Sequence, residues 1–249
     1  MFSLGVLRHA VKMLAWDPWA TLRLTLLPLA FGFAAAFLAA TLIGGTGAEE
    51  RLADASRPVD GRIVAGLLAY LLIFLAAFCW AAVAWHRYSL LSERPGALLP
   101  RFDSQLFWSY VGAAIRVCAM GLLLFLPLLV VAGILLQATG NLVLIGLMMI
   151  VPMILISARI LRYSLILPAA ALGQRMTLTE ALKASEDNSG AFIALSLLLT
   201  VAGNLAEADI SAGWTGLAIG LILTWASIAL SLAVLTTLYG VCVENRDLT

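Results

Sequence analysis

Long stretches of apolar residues without a single charge dominate this chain. Residues 63–85, 117–158 and 210–243 contain no Asp, Glu, Lys or Arg. A helix of about 20 apolar residues is enough to cross a hydrocarbon core about 30 Å thick, so the two longer stretches exceed what one soluble helix could use. The pattern therefore predicts an all-α fold, a polytopic transmembrane helical bundle.

Glycines, prolines and charged clusters divide the apolar sequence into six predicted spans. We place them at about residues 20–43, 63–85, 115–136, 142–163, 191–206 and 213–239, in one membrane domain that covers residues 1–249. The fifth span is the shortest. Residues 1–19 are predicted to form an interfacial N-terminal helix, because apolar and basic positions mix there and Trp16 and Trp19 suit the headgroup region.

Polar residues mark several helix ends. Asp17 precedes a proline and suits the N-terminus of the first span. Thr177 and Glu180 have the spacing of a capping box, which predicts a short amphipathic helix after span 4. The helix of span 4 itself should be disturbed at Pro168, since proline removes a backbone donor inside a helix.

Basic residues predict the orientation, because Lys and Arg are retained on the cytoplasmic side. The N-terminal segment and the loops after spans 2 and 4 contain Arg8, Lys12, Arg87, Arg94, Arg101, Arg175 and Lys183. The loops after spans 3 and 5 contain none, whereas Arg51, Arg57 and Arg62 in the loop after span 1 are an exception. The bias predicts that both termini are cytoplasmic.

Composition and charge exclude several classes of function. The chain is 63% hydrophobic and 12% charged with a net charge of +1, which gives no reason to expect a nucleic-acid partner. Its three cysteines and two histidines show no metal-binding spacing, so no metal or cofactor is expected. His86 is interpreted as an interface anchor. Catalytic motifs are missing, and we therefore expect a protein that is not an enzyme.

Four arginines form the candidate site: Arg87, Arg116, Arg159 and Arg162. At 1.5 Å per residue, Arg116 lies about 31 Å below the outer end of span 3, and Arg159 about 27 Å below that of span 4. Both depths match the cytoplasmic edge of the hydrocarbon. Either each guanidinium reaches outward to water and marks topology, or the four converge on a pocket for an anionic lipid headgroup.

A short internal similarity keeps a second function open. Residues 87–91 (RYSLL) follow span 2, and residues 162–166 (RYSLI) follow span 4. These would make the two hairpins parallel repeats, as in some transporters, unless chance or shared interface anchoring explains the match. Prolines inside spans and Asn204 also suit a transporter.

The segments that close spans 2 and 4 resemble a known group of proteins. They are residues 84–93 (AWHRYSLLSE) and 158–169 (ARILRYSLILPA), the latter followed by LTEA at 178–181. Together they are similar to uncharacterised bacterial six-span membrane proteins related to the membrane domain of glycerophosphodiester phosphodiesterases. The resemblance implies an inner-membrane location and no established catalytic residues. Phosphodiesterase activity is not expected, because no separate catalytic domain is present.

These observations predict a non-enzymatic integral protein of the bacterial inner (cytoplasmic) membrane, multi-pass, that binds anionic lipid. Its expected partners are membrane lipids or another membrane protein. The alternative is a small-molecule transporter built from parallel helical-hairpin repeats.

Overall fold

The computed structural model describes residues 2–45, 60–93, 96, 99–206 and 213–247, and every regular element in these ranges is a helix. Arg51, Arg57 and Arg94, which enter the charge argument, lie outside the described residues. In chain order, the helices are α1 (Phe2–Trp16), α2 (Pro18–Gly44), α3 (Gly61–Leu91), α4 (Ser104–Thr139), α5 (Leu142–Tyr163), α6 (Ile166–Ala171), α7 (Leu178–Ala184), α8 (Ser189–Ala206) and α9 (Gly213–Cys242).

Five helical segments are long and apolar enough to cross a membrane. They are Pro18–Gly44, Gly61–Leu91, Ser104–Thr139, Leu142–Ala171 and Ile219–Cys242. The expected fifth span is present as helix α8, but its apolar part, Ser189–Asn204, is shorter than the other five. The prediction of an all-α protein with several helices able to span a membrane is therefore confirmed, whereas the number of crossings, including the sixth, stays a prediction.

Two helices extend well beyond the expected spans. Helix α4 has 36 residues and is about 54 Å long, whereas the hydrocarbon core needs only about 30 Å. It begins at Ser104, eleven residues before the predicted position 115, because Asp103 caps it by accepting hydrogen bonds from the backbone N–H groups of Gln105 and Leu106. Helix α3 continues to Leu91, six residues past the predicted end at 85. The excess lengths lie at the same end of the molecule.

That end contains the buried core, and we call it the packed end. Its centre is formed by Trp85 of α3, Tyr110 of α4 and Tyr239 of α9, all of which are almost completely buried. Helix α1 packs there through Val6 and Ala10, both fully buried, against α8 and α9. The N-terminal helix thus packs against the bundle, and its interfacial position stays a prediction.

Helices α2 and α3 form a closely packed pair. A Cβ atom added to Gly32 would lie 2.1 Å from the Cβ atom of Ala77, and one added to Gly66 would lie 2.9 Å from the carbonyl oxygen of Ala40. Small residues at these positions let the two backbones approach, as interfaces in lipid require. Five residues of α2, Leu22–Leu26, form a π-helical turn that the sequence pattern did not predict.

The helix of span 4 is interrupted near its end, and the chain turns after α6. Helix α5 ends at Tyr163, and α6 begins at Ile166 with Pro168 in its first turn, where a missing N–H is tolerated. Gly173 has a φ of +75°, a left-handed conformation that favours glycine, and it turns the chain after α6. The capping box at Thr177 and Glu180 then starts α7, as predicted. Helix α6 is thereby held against α3, α4 and α9.

Candidate functional site: a cavity with two arginines at the packed end

The four predicted site arginines do not meet in one cavity of the described structure. Arg87 lines a cavity beside α2 and α3, whereas Arg116 lines another beside α4 and α6. Arg159 and Arg162 lie about one helical turn apart near the end of α5. Convergence of all four on a single headgroup pocket therefore stays a prediction, although Arg87 and Arg116 line different cavities.

Arg87 and Arg162 are engaged in holding helix ends. Arg87 donates from Nε to a carboxylate oxygen of Glu93 at 2.8 Å and from Nη1 to the carbonyl oxygen of Ala171 at 3.3 Å. Arg162 donates to Ser185 Oγ at 2.7 Å and to the carbonyl oxygen of Leu182 at 2.6 Å. Carbonyls at a helix C-terminus attract cations, because they lack intrahelical partners and end the helix dipole.

A third arginine follows the same rule. Arg246 donates from Nη2 to the carbonyl oxygen of Leu90, at the end of α3, over 2.9 Å. The three guanidinium groups thus complete the C-terminal turns of α6, α7 and α3. This structural role was not among the two explanations weighed from the sequence. It needs the positions of the short helices, which the sequence pattern does not give.

Arg116 and Arg175 line a cavity of about 560 Å³ between α4 and the segment that follows α6. Arg116 makes one weak hydrogen bond, from Nε to the carbonyl oxygen of Gly112 in its own helix at 3.3 Å. Arg175 has no hydrogen bond with the described residues. Both side chains are exposed, so both guanidinium groups are available to a ligand. The volume lies within the range of small-molecule sites. We call it the arginine cavity.

Further donors face the same cavity. Gln174 accepts a hydrogen bond from Tyr239 Oη at its Oε1 atom over 2.9 Å, so its amide nitrogen remains as a donor. The hydroxyl of Ser109 also lines the cavity, and Trp108, which is largely exposed, lies beside it. A set of guanidinium, amide and hydroxyl donors suits the oxygens of a phosphate.

One carboxylate lies at the rim. Glu180 accepts a hydrogen bond from the backbone N–H of Thr177 at 2.7 Å, and its own N–H donates to Thr177 Oγ1 at 3.2 Å. The hydrogen bond from the Thr177 backbone lowers the pKa of the Glu180 carboxyl. This carboxylate therefore already serves the start of α7. With two arginines against one glutamate, the arginine cavity has a net positive charge.

Arg159 is separate from this cavity. Its side chain is exposed on α5 and makes no hydrogen bond with the residues that the structure describes. Of the four predicted residues, only Arg116 lies in the arginine cavity, and Arg175 joins it from the loop after α6. The signal for Arg175 is weak in the sequence. Arg175 precedes the capping box by two positions, and the turn at Gly173 brings it near α4.

His86 was expected to be an interface anchor, and this is wrong. Its side chain is completely buried, with Nδ1 at 2.8 Å from Thr236 Oγ1. In the arrangement in which Thr236 donates its hydroxyl proton to the carbonyl oxygen of Leu232 at 2.7 Å, the imidazole donates from Nδ1. Its Nε2 atom then has a lone pair without a partner among the described residues. The hydrogen bond joins α3 to α9 inside the packed end.

Comparison with models of known families, with curated proteins and with solved structures gives no match for this chain. The site is therefore interpreted from its own geometry. That geometry provides donors and positive charge at the end of a membrane-embedded bundle, beside an exposed tryptophan. Such an arrangement can bind an anion at the boundary between hydrocarbon and water.

Proposed function

We propose that this protein is a non-enzymatic, multi-pass protein of the bacterial inner membrane that binds an anionic phospholipid at the arginine cavity. The observation that supports it is the pair of available guanidinium groups of Arg116 and Arg175 in one cavity, with the Gln174 amide beside them. A phosphate between the two arginines would receive charge-assisted hydrogen bonds from both. Membership in the six-span family that the sequence resembles is part of this proposal.

We further propose six crossings, with both termini in the cytoplasm. Helix α8 starts near the packed end, since Ser185 just before it is bound to Arg162. Helix α9 ends there, because Thr236 contacts His86, whereas Trp225 donates to Thr25 farther along α2. These contacts support a chain that leaves the packed end through α8 and returns through α9. A crossing by α8, about 27 Å long, accounts for this.

Single cysteines test the sixth crossing. In a variant without the three native cysteines, Gly140→Cys and Asn204→Cys should both react with an impermeant maleimide added from the periplasmic side. Lys183→Cys should react only after the membrane is opened. If Asn204→Cys also reacts only after the membrane is opened, the six-crossing proposal is wrong.

Lipid retention tests the binding site. We expect the double variant Arg116→Gln, Arg175→Gln to lose copurified phosphatidylglycerol, measured by mass spectrometry after washing in mild detergent. At about 1 kcal/mol for each basic residue near the membrane surface, the pair should weaken binding by roughly 30-fold. The matched control is Arg159→Gln, which removes an exposed arginine outside the cavity. Equal lipid loss in both variants, or none in the double variant, would refute this site.

The transporter hypothesis predicts a different result. It requires uptake of a solute into proteoliposomes, whereas the lipid-binding proposal requires none. The two RYSL segments do share one feature, since Arg87 and Arg162 each donate to a carbonyl at the end of a following short helix. This likeness concerns helix ends and supplies no path through the membrane, so lipid binding is the function we favour.

A further inference from the structure

Two adjacent cavities lie on the other side of α4, between α2, α3 and the segment that leads into α4. The first is a polar cavity of about 380 Å³, lined by Arg87, Glu93, Arg101 and Asp103 among others. The second is an apolar groove of about 290 Å³, which opens between α2 and α3. They share no residue with the arginine cavity.

The polar cavity and the apolar groove follow one another along the same helix faces. On α2, Leu24 lines the polar cavity, and Pro28, one turn farther, lines the groove. On α3, Ala84 lines the polar cavity, and Trp80, one turn away, lines the groove. The groove then continues away from the packed end toward Ala35 and Ile73. A polar cavity at the packed end, followed by an apolar groove, matches the polarity of one phospholipid, whose headgroup is polar and whose acyl chains are apolar.

The charged residues that line the polar cavity in the described part of the chain are two arginines and two carboxylates. Arg87 and Glu93 form an ion pair with each other. Asp103 uses Oδ1 to cap α4, which leaves its Oδ2 atom available. Arg101, two positions earlier, is exposed and makes no hydrogen bond within the described part of the chain. Among the described residues that line this cavity, one free cation and one free carboxylate oxygen therefore remain, in contrast to the net positive arginine cavity.

We propose that the polar cavity and the apolar groove together bind a phospholipid with a zwitterionic headgroup. Its phosphate contacts the guanidinium of Arg101, its ammonium group contacts Asp103, and one acyl chain lies in the groove between α2 and α3. A headgroup that has only negative charge would leave Asp103 unpaired against it, and like charges at short distance repel. This second site goes beyond the anionic site and does not depend on it.

The experiment measures lipid adducts of the full chain by native mass spectrometry, with dioleoyl phosphatidylethanolamine and dioleoyl phosphatidylglycerol added separately. We expect Ala35→Phe, which fills the groove, to reduce the phosphatidylethanolamine adduct at least tenfold. Ala34→Phe places the same ring on the neighbouring exposed position outside the groove and should leave the adduct unchanged. Equal adducts in the two variants would overturn the acyl-chain site.

Headgroup recognition is tested by Arg101→Gln, a surface change that leaves the helix contacts in place. It should weaken phosphatidylethanolamine binding about fivefold while dioleoyl glycerol, which has no headgroup, binds as before. Phosphatidylglycerol binding at the arginine cavity should be unaffected by Arg101→Gln. The double variant Arg116→Gln, Arg175→Gln should instead lose phosphatidylglycerol and keep phosphatidylethanolamine. Loss of both phospholipids in Arg101→Gln, or of neither, would refute the zwitterionic site, whatever happens at the arginine cavity.

Discussion

The packed end and the membrane-exposed half of this bundle obey different rules of packing. At the packed end, large side chains such as Trp85, Tyr110 and Phe192 are almost completely buried, as in a soluble core. In the exposed half, α4 and α5 present their leucines outward, and Leu129 is 63% exposed. Lipid tails are as apolar as leucine, so they provide no force that would bury the leucines of the exposed half.

This difference in packing between the two regions indicates where binding sites can form. Side chains with polar atoms have defined partners at the packed end, including the hydrogen bond between His86 and Thr236. Both candidate lipid sites begin there, because this end holds the arginines and carboxylates that line the two cavities. The exposed half provides hydrocarbon contact and spacing. The comparison predicts that substitutions of the same kind have very different effects in the two regions.

The sharpest test replaces the same residue in each region. Phe192 is completely buried, and Phe37 on α2 is 58% exposed. We expect Phe192→Ala to lower the free energy of unfolding by about 3–5 kcal/mol, because it leaves a cavity in the packed end. Phe37→Ala should change it by less than about 1 kcal/mol, since lipid replaces the ring. Unfolding in mixed micelles with increasing dodecyl sulfate measures the free energy of unfolding of both variants. Similar losses in the two would mean that the packed end and the exposed half do not differ in packing.

The second test asks whether the exposed half has any tight packing. Gly66 on α3 faces the backbone of α2, whereas nothing lies within 4 Å of the Cβ position at Gly133 on α4. Gly66→Leu must separate the two backbones, and we expect a loss of about 2–3 kcal/mol. Gly133→Leu should be neutral. The same unfolding assay applies. A neutral Gly66→Leu would mean that the α2–α3 pair contributes little to stability.

The hydrophobic pattern was enough to predict most of the fold. A charge-free stretch long enough to cross the membrane is a local property, so the sequence pattern located apolar helices at α2, α3, α4 and α5. Local capping signals were equally readable: Asp17 accepts from the N–H of Ala20 at 2.9 Å, and Thr177 and Glu180 form the predicted box. Such features depend on residues a few positions apart.

The arginine site could be predicted only in part. Depth along a helix placed Arg116 at the membrane edge, but depth says nothing about which face of the bundle a side chain occupies. Arg87 and Arg162 donate to carbonyls of short helices from other parts of the chain, and those contacts depend on the turn at Gly173 and the docking of α6. For the same reason His86 was misjudged, because its partner Thr236 is 150 positions away.

Two arginines near the end of α5 allow a test that compares a hydrogen-bonded with an exposed side chain on the same helix. Arg162 donates to Ser185 Oγ and to the carbonyl oxygen of Leu182, whereas Arg159 has no hydrogen bond with the described residues. Arg162→Gln should cost about 1–2 kcal/mol of unfolding free energy, since it leaves a helix C-terminus without its cation. Arg159→Gln should cost less than about 0.5 kcal/mol. Equal effects would show that Arg162 does not stabilise α7.

The smallest expected effect concerns pH and the start of α7. The hydrogen bond from the Thr177 backbone lowers the pKa of the Glu180 carboxyl in the folded protein below its unfolded value, near 4.3. The capping box is therefore fully stabilising above that unfolded value and is lost as the pH falls through the folded pKa. Hydrogen exchange at the Thr177 amide should accelerate relative to other helix-start amides as the pH is lowered from 6 toward 3. Glu180→Gln should remove this pH dependence, because its neutral amide does not titrate. If the variant keeps the same dependence, another group controls the start of α7, and the rim of the arginine cavity is set by something other than this carboxylate.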